Sequence, residues 1–568
     1  MDSSSVDVPG PGSWYASDLI LDALAGHGCS HLAFNPGATL RGLHDSIVHP
    51  AGRAPEPILA LHEETAVAMA HGFVKMSGTP MAVGLHDTVG LLHASMALFN
   101  AWADRAPLIA LVGTGPLDTA DRRPWIDWVH TVTDQTALVR DHAVLTEQPL
   151  SPEGAVASID RAWRRLHLDP SGPAVIAVDV ALQERAVPTP RSRPEVRMQR
   201  TRVAPDPRSV DELVRLLETA VRPLLVVDRP LDEAAKHAVA MLAGRIGAVV
   251  VDLNGGNIPH RHRHTANTGL DAALDVADLV VCLDVRDPGL ALGTTDLETR
   301  QTGSGERRAR LVAVGPGPLA GRAWMQPDSD VADHQVVGDV GLVLEAVLTA
   351  VPVAQREPDP AFDAARAREP IEREAGAGRL HPRLVAQRLA EHLSPTDWTL
   401  AAGNLGGWAP RELAPDRTYR SLGRSGGEGL GYAAGATIGA ALAVRGTGHI
   451  VVGLQGDGDL LYTPQALWSA VHHDVPVLFI LDDNATYYRD ELHQVAVSRL
   501  RGRDPSQVGP GLHLDGPGID HVGLARSFGM TAEGPVDALE DLDRALARAI
   551  AAVRAGEPVL VDVRTGRP

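Results

Sequence analysis

Short apolar runs of four to seven residues recur along this chain without polar alternation, and most of them stop at glycine or aspartate. HLAFNPG (31–37), MAVGLHD (81–87) and PLIALVG (107–113) are followed later by PLLVVD (223–228), AVVVDLNGG (248–256) and LVVCLD (279–284). WTLAAGN (398–404), HIVVGLQGDGD (449–459), PVLFILDDN (476–484) and PVLVDV (558–563) continue the series. Runs of this kind suit strands buried on both faces of a parallel sheet. Segments with helical character, such as ETAVAMAHGFVKMSG, lie between them, so the unit is strand–helix–strand and the fold class is α/β with doubly wound parallel sheets. Ligands of such sheets bind beyond the carboxyl ends of the strands, where the Gly- and Asp-rich tips lie.

A chain of 568 residues exceeds what one hydrophobic core serves. Two Pro-dense, charged stretches, about 186–208 and 353–371, read as exposed linkers. They give three blocks: 12–188, 206–352 and 372–568. Lys and Arg total 52 against 71 Asp and Glu, a net charge of −19, which disfavours nucleic acid or an anionic membrane as partner. Two cysteines, Cys29 and Cys282, in apolar surroundings argue against a disulfide framework. The N-terminus shows no signal-peptide pattern, and no apolar run approaches the roughly 20 residues of a membrane span. A cytoplasmic location is expected.

The tips carry the chemistry. HIVVGLQ reads as a strand running into GDGD, whose glycines allow tight turning and close approach of backbone amides to an anion. A helix over TPQALWSAVHH and the strand PVLFILDD follow, ending at Asn484. In a parallel strand–helix–strand unit the two strand tips are neighbours, so Asp457 and Asn484 can share a hard cation, and Mg²⁺ combines carboxylates with phosphate oxygens. A lone GDG is an ordinary turn; the whole pattern is far more specific.

That pattern resembles the thiamine-diphosphate-binding motif of the family of acetolactate synthases, benzoylformate decarboxylases and related 2-oxoacid decarboxylases and carboligases. The resemblance implies Mg²⁺ held by Asp457, Asn484 and the carbonyl of Thr486, with Gly456, Gly458 and Asp459 beside the cofactor. One departure is Asp483, where the family usually has a first Asn. GNLGGW places Gly403, Asn404 and Leu405 at the family's first diphosphate loop, and EGLGYAAGATIGAALA places Leu430 where a bulky residue props the cofactor.

The resemblance also demands a carboxyl group that activates the cofactor's aminopyrimidine, because the protein supplies that acid while the carbanion chemistry belongs to the cofactor. ILALHEETAVAMAHGF meets it: the family's Gly-aromatic pair follows its glutamate by nine residues, which selects Glu63. Such an acid should titrate high if buried. Glu64 is assigned the plainer task of offsetting the helix dipole. His86, 23 residues past Glu63, resembles the proton-transferring histidine of benzoylformate decarboxylase. His62 and His93 are weaker candidates, His93 standing at the family's Asn position. Asn35 and Ala38 fall in the substrate loop, and Ala38 lacks the hydroxyl that some decarboxylases use on the substrate carboxylate. Tyr487, Tyr488 and His493 open a long polar segment, 486–520, expected to act as a lid loop.

Other signals are weaker. HRHRH (260–264) is expected to be an exposed loop without a metal, and His472 and His473 to sit at a helix C-terminus for its dipole. The resemblance allows FAD in the middle block, but no Gly-x-Gly-x-x-Gly marks it there. GSGERRAR (303–310) could meet a nucleotide phosphate or be a solvated loop. The expected activity is C–C bond lysis or ligation: decarboxylation of a 2-oxoacid to an aldehyde, or carboligation. The family makes its sites across a subunit interface, so a homodimer or homotetramer is implied. A 2-hydroxyacyl- or oxalyl-coenzyme-A lyase, a non-catalytic binding protein and a flavin or nicotinamide oxidoreductase are the alternatives.

Overall fold

The computed structural model describes residues 13–122, 129–190, 198–267, 270–291, 309–320, 332–367, 379–394 and 396–566. Two compact units emerge: Met1–Thr201 with Ser425–Thr447 and Asp459–Val475, and Arg202–Arg424 with Gly448–Gly458 and Pro476–Pro568.

The first unit holds a six-stranded parallel sheet in the spatial order Glu56–Leu59, His31–Phe34, Met81–Leu85, Leu108–Thr114, Pro173–Asp179, Leu145–Glu147. Ranked by sequence within the block, that order is 2-1-3-4-6-5. One face packs Leu32, Phe34, Ile109, Leu111 and Ile176 against Ile20 and Leu24 of one helix and Ile159 and Trp163 of another. The alternate residues Ala33, Val83, Ala110 and Val112 are fully buried as well, so both faces are covered. This explains why the strands read as continuous apolar runs.

The second unit holds two parallel sheets. One is five-stranded, in the order Val249–Asp252, Pro223–Val227, Leu279–Leu283, Arg310–Val314, His334–Val336, or 2-1-3-4-5. The other runs Arg420–Ser421, Trp398–Ala402, Ile450–Gly456, Leu478–Asp483, Val559–Arg564, Thr531–Val536, again 2-1-3-4-6-5. The doubly wound α/β expectation is met. In both six-stranded sheets the winding direction reverses between the first and third strands, which leaves a crevice at their carboxyl ends.

Within the first unit the helix Glu63–Ser77 lies against the helix Tyr432–Ala443 at backbone distance. A Cβ on Gly72 would sit 1.9 Å from the carbonyl oxygen of Ala436, and one on Gly439 would sit 1.9 Å from that of Met69. A buried polar cluster closes the contact: Nε2 of His71 lies 2.9 Å from Asp104, Lys75 also pairs with Asp104, and Nζ of Lys75 donates to the hydroxyl of Tyr432 at 3.4 Å.

Several expectations need correcting. The two stretches read as exposed linkers are partly built into the fold. Ala186–Val187 pairs antiparallel with Trp14–Tyr15, and Phe362 and Ala365, both fully buried, join the core of the middle sheet. Proline-rich composition masks the few apolar residues that anchor each stretch. In HRHRH, His264 is fully buried and its Nδ1–H donates to the carbonyl of Ala248 at 2.7 Å. His473 does not serve a helix dipole as a cation. Burial holds its pKa below the usual histidine range, and Nε2 accepts the Leu59 N–H at 2.8 Å. GSGERRAR lies almost wholly outside the described residues. Cys29 and Cys282 are buried and form no disulfide. Among the described residues no helix is long and apolar enough to cross a membrane.

Replacing Gly72 by Ala should force the two helices apart. The expected loss is about 1–3 kcal/mol, the usual cost of overpacking, read as a lower thermal-unfolding midpoint; an unchanged midpoint would mean that the helices do not need this approach.

Candidate active site

In the first unit the reversal of strand order sets the tip of His31–Phe34 beside that of Met81–Leu85. The chain leaves the first tip through Asn35, Pro36 and Gly37 into a short 3₁₀ turn, Ala38–Leu40, and leaves the second through His86. Gly37 is required here, because a Cβ would lie 2.2 Å from Cγ of His86. Nδ1 of His86 is 2.9 Å from the hydroxyl of Thr39 and 3.5 Å from its amide nitrogen. Asn35 and Ala38 are half-buried beside this contact. Three residues that sequence reasoning missed complete the corner: Thr39, Asp87 and His130, whose Nδ1 lies 3.3 Å from Nε2 of His86. Asp87 takes a left-handed φ of 47° although fully buried, and burial raises its pKa. An aspartate directly after a strand-end histidine is the signal the sequence offers; His130 has none, because it arrives from a distant loop.

Glu63 is the first residue of its helix, which His62 caps by accepting the Glu64 N–H on Nδ1 at 3.1 Å. The Glu63 carboxyl is buried. Its Oε2 is 3.3 Å from Nδ1 of His93, and its Oε1 would lie 3.1 Å from a Cβ on Gly90. His93 in turn stacks on His62 with ring centroids 5.1 Å apart. Glu64 departs from its expected role. It faces Gly431 rather than solvent, and burial, with Asp459 nearby, pushes its pKa up to about 7. Asp459 itself accepts the Gly431 N–H at 2.6 Å, which fixes the turn that carries the exposed Leu430 into its helix.

In the second unit the same reversal pairs the tip of Trp398–Ala402 with that of Ile450–Gly456. The loop Gly403–Gly407 is coiled tightly: Gly403, Leu405, Gly406 and Gly407 all have positive φ, and a Cβ on Gly403 would strike the carbonyl oxygen of Leu454 at 1.7 Å. Asn404 uses its carbonyl to accept the amides of Gly407 and Ala409, both at 3.0 Å. A cavity of about 200 Å³ opens beside this loop, lined also by Asp252, Asn254, His260 and Arg411.

GDG is not a loop: Gly456 ends a strand and Asp457 opens a helical turn directly. Neither glycine has positive φ. Gly458 is needed for space, because a Cβ would meet the ring of Tyr487 at 2.6 Å. Asp457 is buried. Its Oδ1 accepts the Gly458 N–H at 2.9 Å, while Oδ2 is buried with no hydrogen-bond partner among the described residues. Burial, then the neighbouring Asp483 and Asp482, push its pKa up to about 7. Ligand atoms of Asp457, Asp483 and His521 gather within 4.8 Å of one another. His521 is buried, and burial lowers its pKa, leaving a neutral imidazole. Asn484 uses its side-chain oxygen to accept the Thr486 N–H at 3.1 Å, and the Thr486 hydroxyl donates to Glu491 at 3.1 Å.

Buried acids gathered without a matching cation are costly. This oxygen-rich set with one imidazole, and one carboxylate oxygen left over, therefore fits a divalent cation. His521 was missed because it stands 37 positions beyond Asn484. The segment 486–520 is not the expected loop throughout: Tyr488–Leu500 is a helix that begins with Tyr488 and carries His493, and Tyr487 precedes it against Gly458.

Comparison with known proteins finds matches over both of these regions. The thiamine pyrophosphate enzyme N-terminal TPP binding domain matches residues 15–138, and the C-terminal TPP binding domain of the same enzymes matches residues 401–563. Benzoylformate decarboxylase from Pseudomonas aeruginosa is 29% identical over 518 residues, covering 89% of this chain and 91% of that protein. Acetolactate synthase from Bacillus subtilis is 23% identical over 574 residues, covering 96% and 92%. The crystal structure of benzoylformate decarboxylase from Polynucleobacter necessarius superposes with a TM-score of 0.78 at 22% identity, covering 97% of this chain and 98% of that one, and so shares the fold. With both binding domains matched in order, and the strand-tip residues lying where those domains lie, the chain belongs to the thiamine pyrophosphate-dependent enzymes.

Proposed function

We propose that the protein decarboxylates a 2-oxoacid, releasing an aldehyde or passing the activated fragment to a second carbonyl. The observation that carries this reading is His86, an imidazole fixed at the carboxyl end of the Met81–Leu85 strand, where the sheet winding reverses. Similarity to benzoylformate decarboxylase along nearly the whole chain supports it.

The blocks 12–188, 206–352 and 372–568 then serve as pyrimidine-binding, middle and diphosphate-binding domains. Thiamine diphosphate, when bound, supplies the nucleophilic carbon and the electron sink for losing CO₂. Gly403, Asn404 and Leu405, with Gly456, Gly458 and Asp459, hold it, and Leu430 offers an exposed apolar prop. Asp457, Asn484 and Thr486 hold Mg²⁺, and His521 and Asp483 stand close enough to share that task. Glu63 holds a proton for the cofactor's ring nitrogen, and its burial between Gly90 and His93 keeps water from competing for the carboxyl. His86 moves the proton at the substrate carbon, while Asn35, Ala38, Tyr487 and Tyr488 border the substrate. The functional unit is a homodimer or homotetramer in the cytoplasm.

Glu63→Gln keeps the side chain's shape and removes its proton. The expected result is a fall in kcat of about a hundredfold or more with the thermal midpoint unchanged; full activity would remove Glu63 from the role. A second outcome follows from Asp457. A carboxyl raised to about 7 is protonated below that pH, and a proton must leave before a cation can bind. Mg²⁺ affinity measured by calorimetry should therefore hold steady above pH 7 and fall about tenfold per pH unit below it. Affinity that ignores pH across this window would place the cation elsewhere.

A further inference from the structure

Both ring nitrogens of His86 are engaged. Nδ1 faces the hydroxyl and amide of Thr39, and Nε2 faces Nδ1 of His130 at 3.3 Å, with the two rings nearly edge-on at 70°. His130 is held in place by its neighbour in the chain. The next residue, Thr131, donates its hydroxyl to Oδ2 of Asp87 at 3.2 Å and accepts the Gly115 N–H at 3.1 Å. Asp87 directly follows His86 and is a buried residue with left-handed φ. A non-glycine residue in that region is strained and persists only where its surroundings hold it. Here the strained turn aims a carboxylate at Thr131, and that bond aligns the second histidine with the first.

We infer that His86 and His130 share one proton, and that the pair rather than His86 alone is the acid–base unit of the reaction. This deepens the proposed function and rests on it for the role of His86. Two imidazoles in contact resist carrying two charges, whereas a single charge can be shared across the N···N contact. Donation from the Thr39 amide to Nδ1 leaves the proton of neutral His86 on Nε2, directed at His130. The Thr39 hydroxyl can turn to accept when Nδ1 is protonated. Asp87, on the same element, is the carboxyl that favours the cation at His86; among the described residues Thr39 and His130 bond His86 from other elements, and Thr131 faces Asp87. In the transfer step the shared proton leaves Nε2 of His86: that N–H bond breaks as a C–H bond forms with the electron pair that departing CO₂ left at the substrate carbon. The pair passes from +1 to neutral, and solvent reloads it through the half-buried His130. His130 acts through His86 and is a positioning residue.

The test compares His130→Gln, Thr131→Val and His86→Ala on a panel of 2-oxoacids that includes benzoylformate, with acetaldehyde present as an acceptor. Gln keeps a hydrogen-bonding group but cannot titrate. His130→Gln should lower kcat about tenfold or more with little change in KM, flatten the acid limb of the kcat–pH profile, and raise the ratio of carboligated product to aldehyde. Thr131→Val should move the same readouts in the same direction. On the apoprotein, ethoxyformylation of His86 followed by peptide mass spectrometry should shift by about one pH unit toward lower pH in His130→Gln. A wild-type profile, product ratio and modification midpoint in His130→Gln overturn the shared proton. Wild-type turnover by His86→Ala overturns instead the reading of His86 on which this rests, and the apoprotein shift still decides whether the two rings share a proton.

Discussion

Parallel strands must be joined by crossovers, and a sheet wound both ways has one place where successive crossovers depart to opposite faces. In both six-stranded sheets that place lies between the first and third strands of the block. One holds Asn35 to Thr39 with His86; the other holds the Gly403 loop with Asp457. Candidate site residues crowd into these two crevices, where side chains and backbone amides can face a ligand without breaking the sheet.

Confinement has a cost that shapes the local sequence. At each crevice the backbone is bent into conformations ordinary residues avoid, as at Asp87, Leu405 and Ala485. Glycine appears where a neighbour leaves no room for a Cβ, as at Gly37 against His86 and Gly458 against Tyr487. Charge is concentrated in the same places. Asp457 and Asp562 are both pushed up to about 7, first by burial and then by neighbouring carboxylates. Such a cluster is stable when protons or a cation balance it. In the first unit, the helix pair that starts at Glu63 and Tyr432 gives the bent segments firm support, through contacts too close for any side chain larger than hydrogen.

Histidines illustrate how environment separates similar residues. His473 and His264 are neutral members of the fold, tied to Leu59 and Ala248. His86 sits at a strand tip with a second imidazole beside it. The same side chain is tied to backbone groups in one place and faces a second titratable ring in the other.

By itself the sequence determined the α/β class, the tips at Gly37, His86, Gly403 and Asp457, and the family, because apolar runs, glycine spacing and strand-end polar residues are local properties. Tertiary structure alone decided the rest. It brought His521 to Asp457 and Asp483, and Thr39 and His130 to His86, across separations that no local pattern encodes. It also turned Glu64 from a solvated dipole partner into a half-buried acid, and drew Phe362 from an apparent linker into a core. The physical reason is the same each time: burial and charge at a residue are set by whatever the fold lays against it, and those neighbours are distant in the chain.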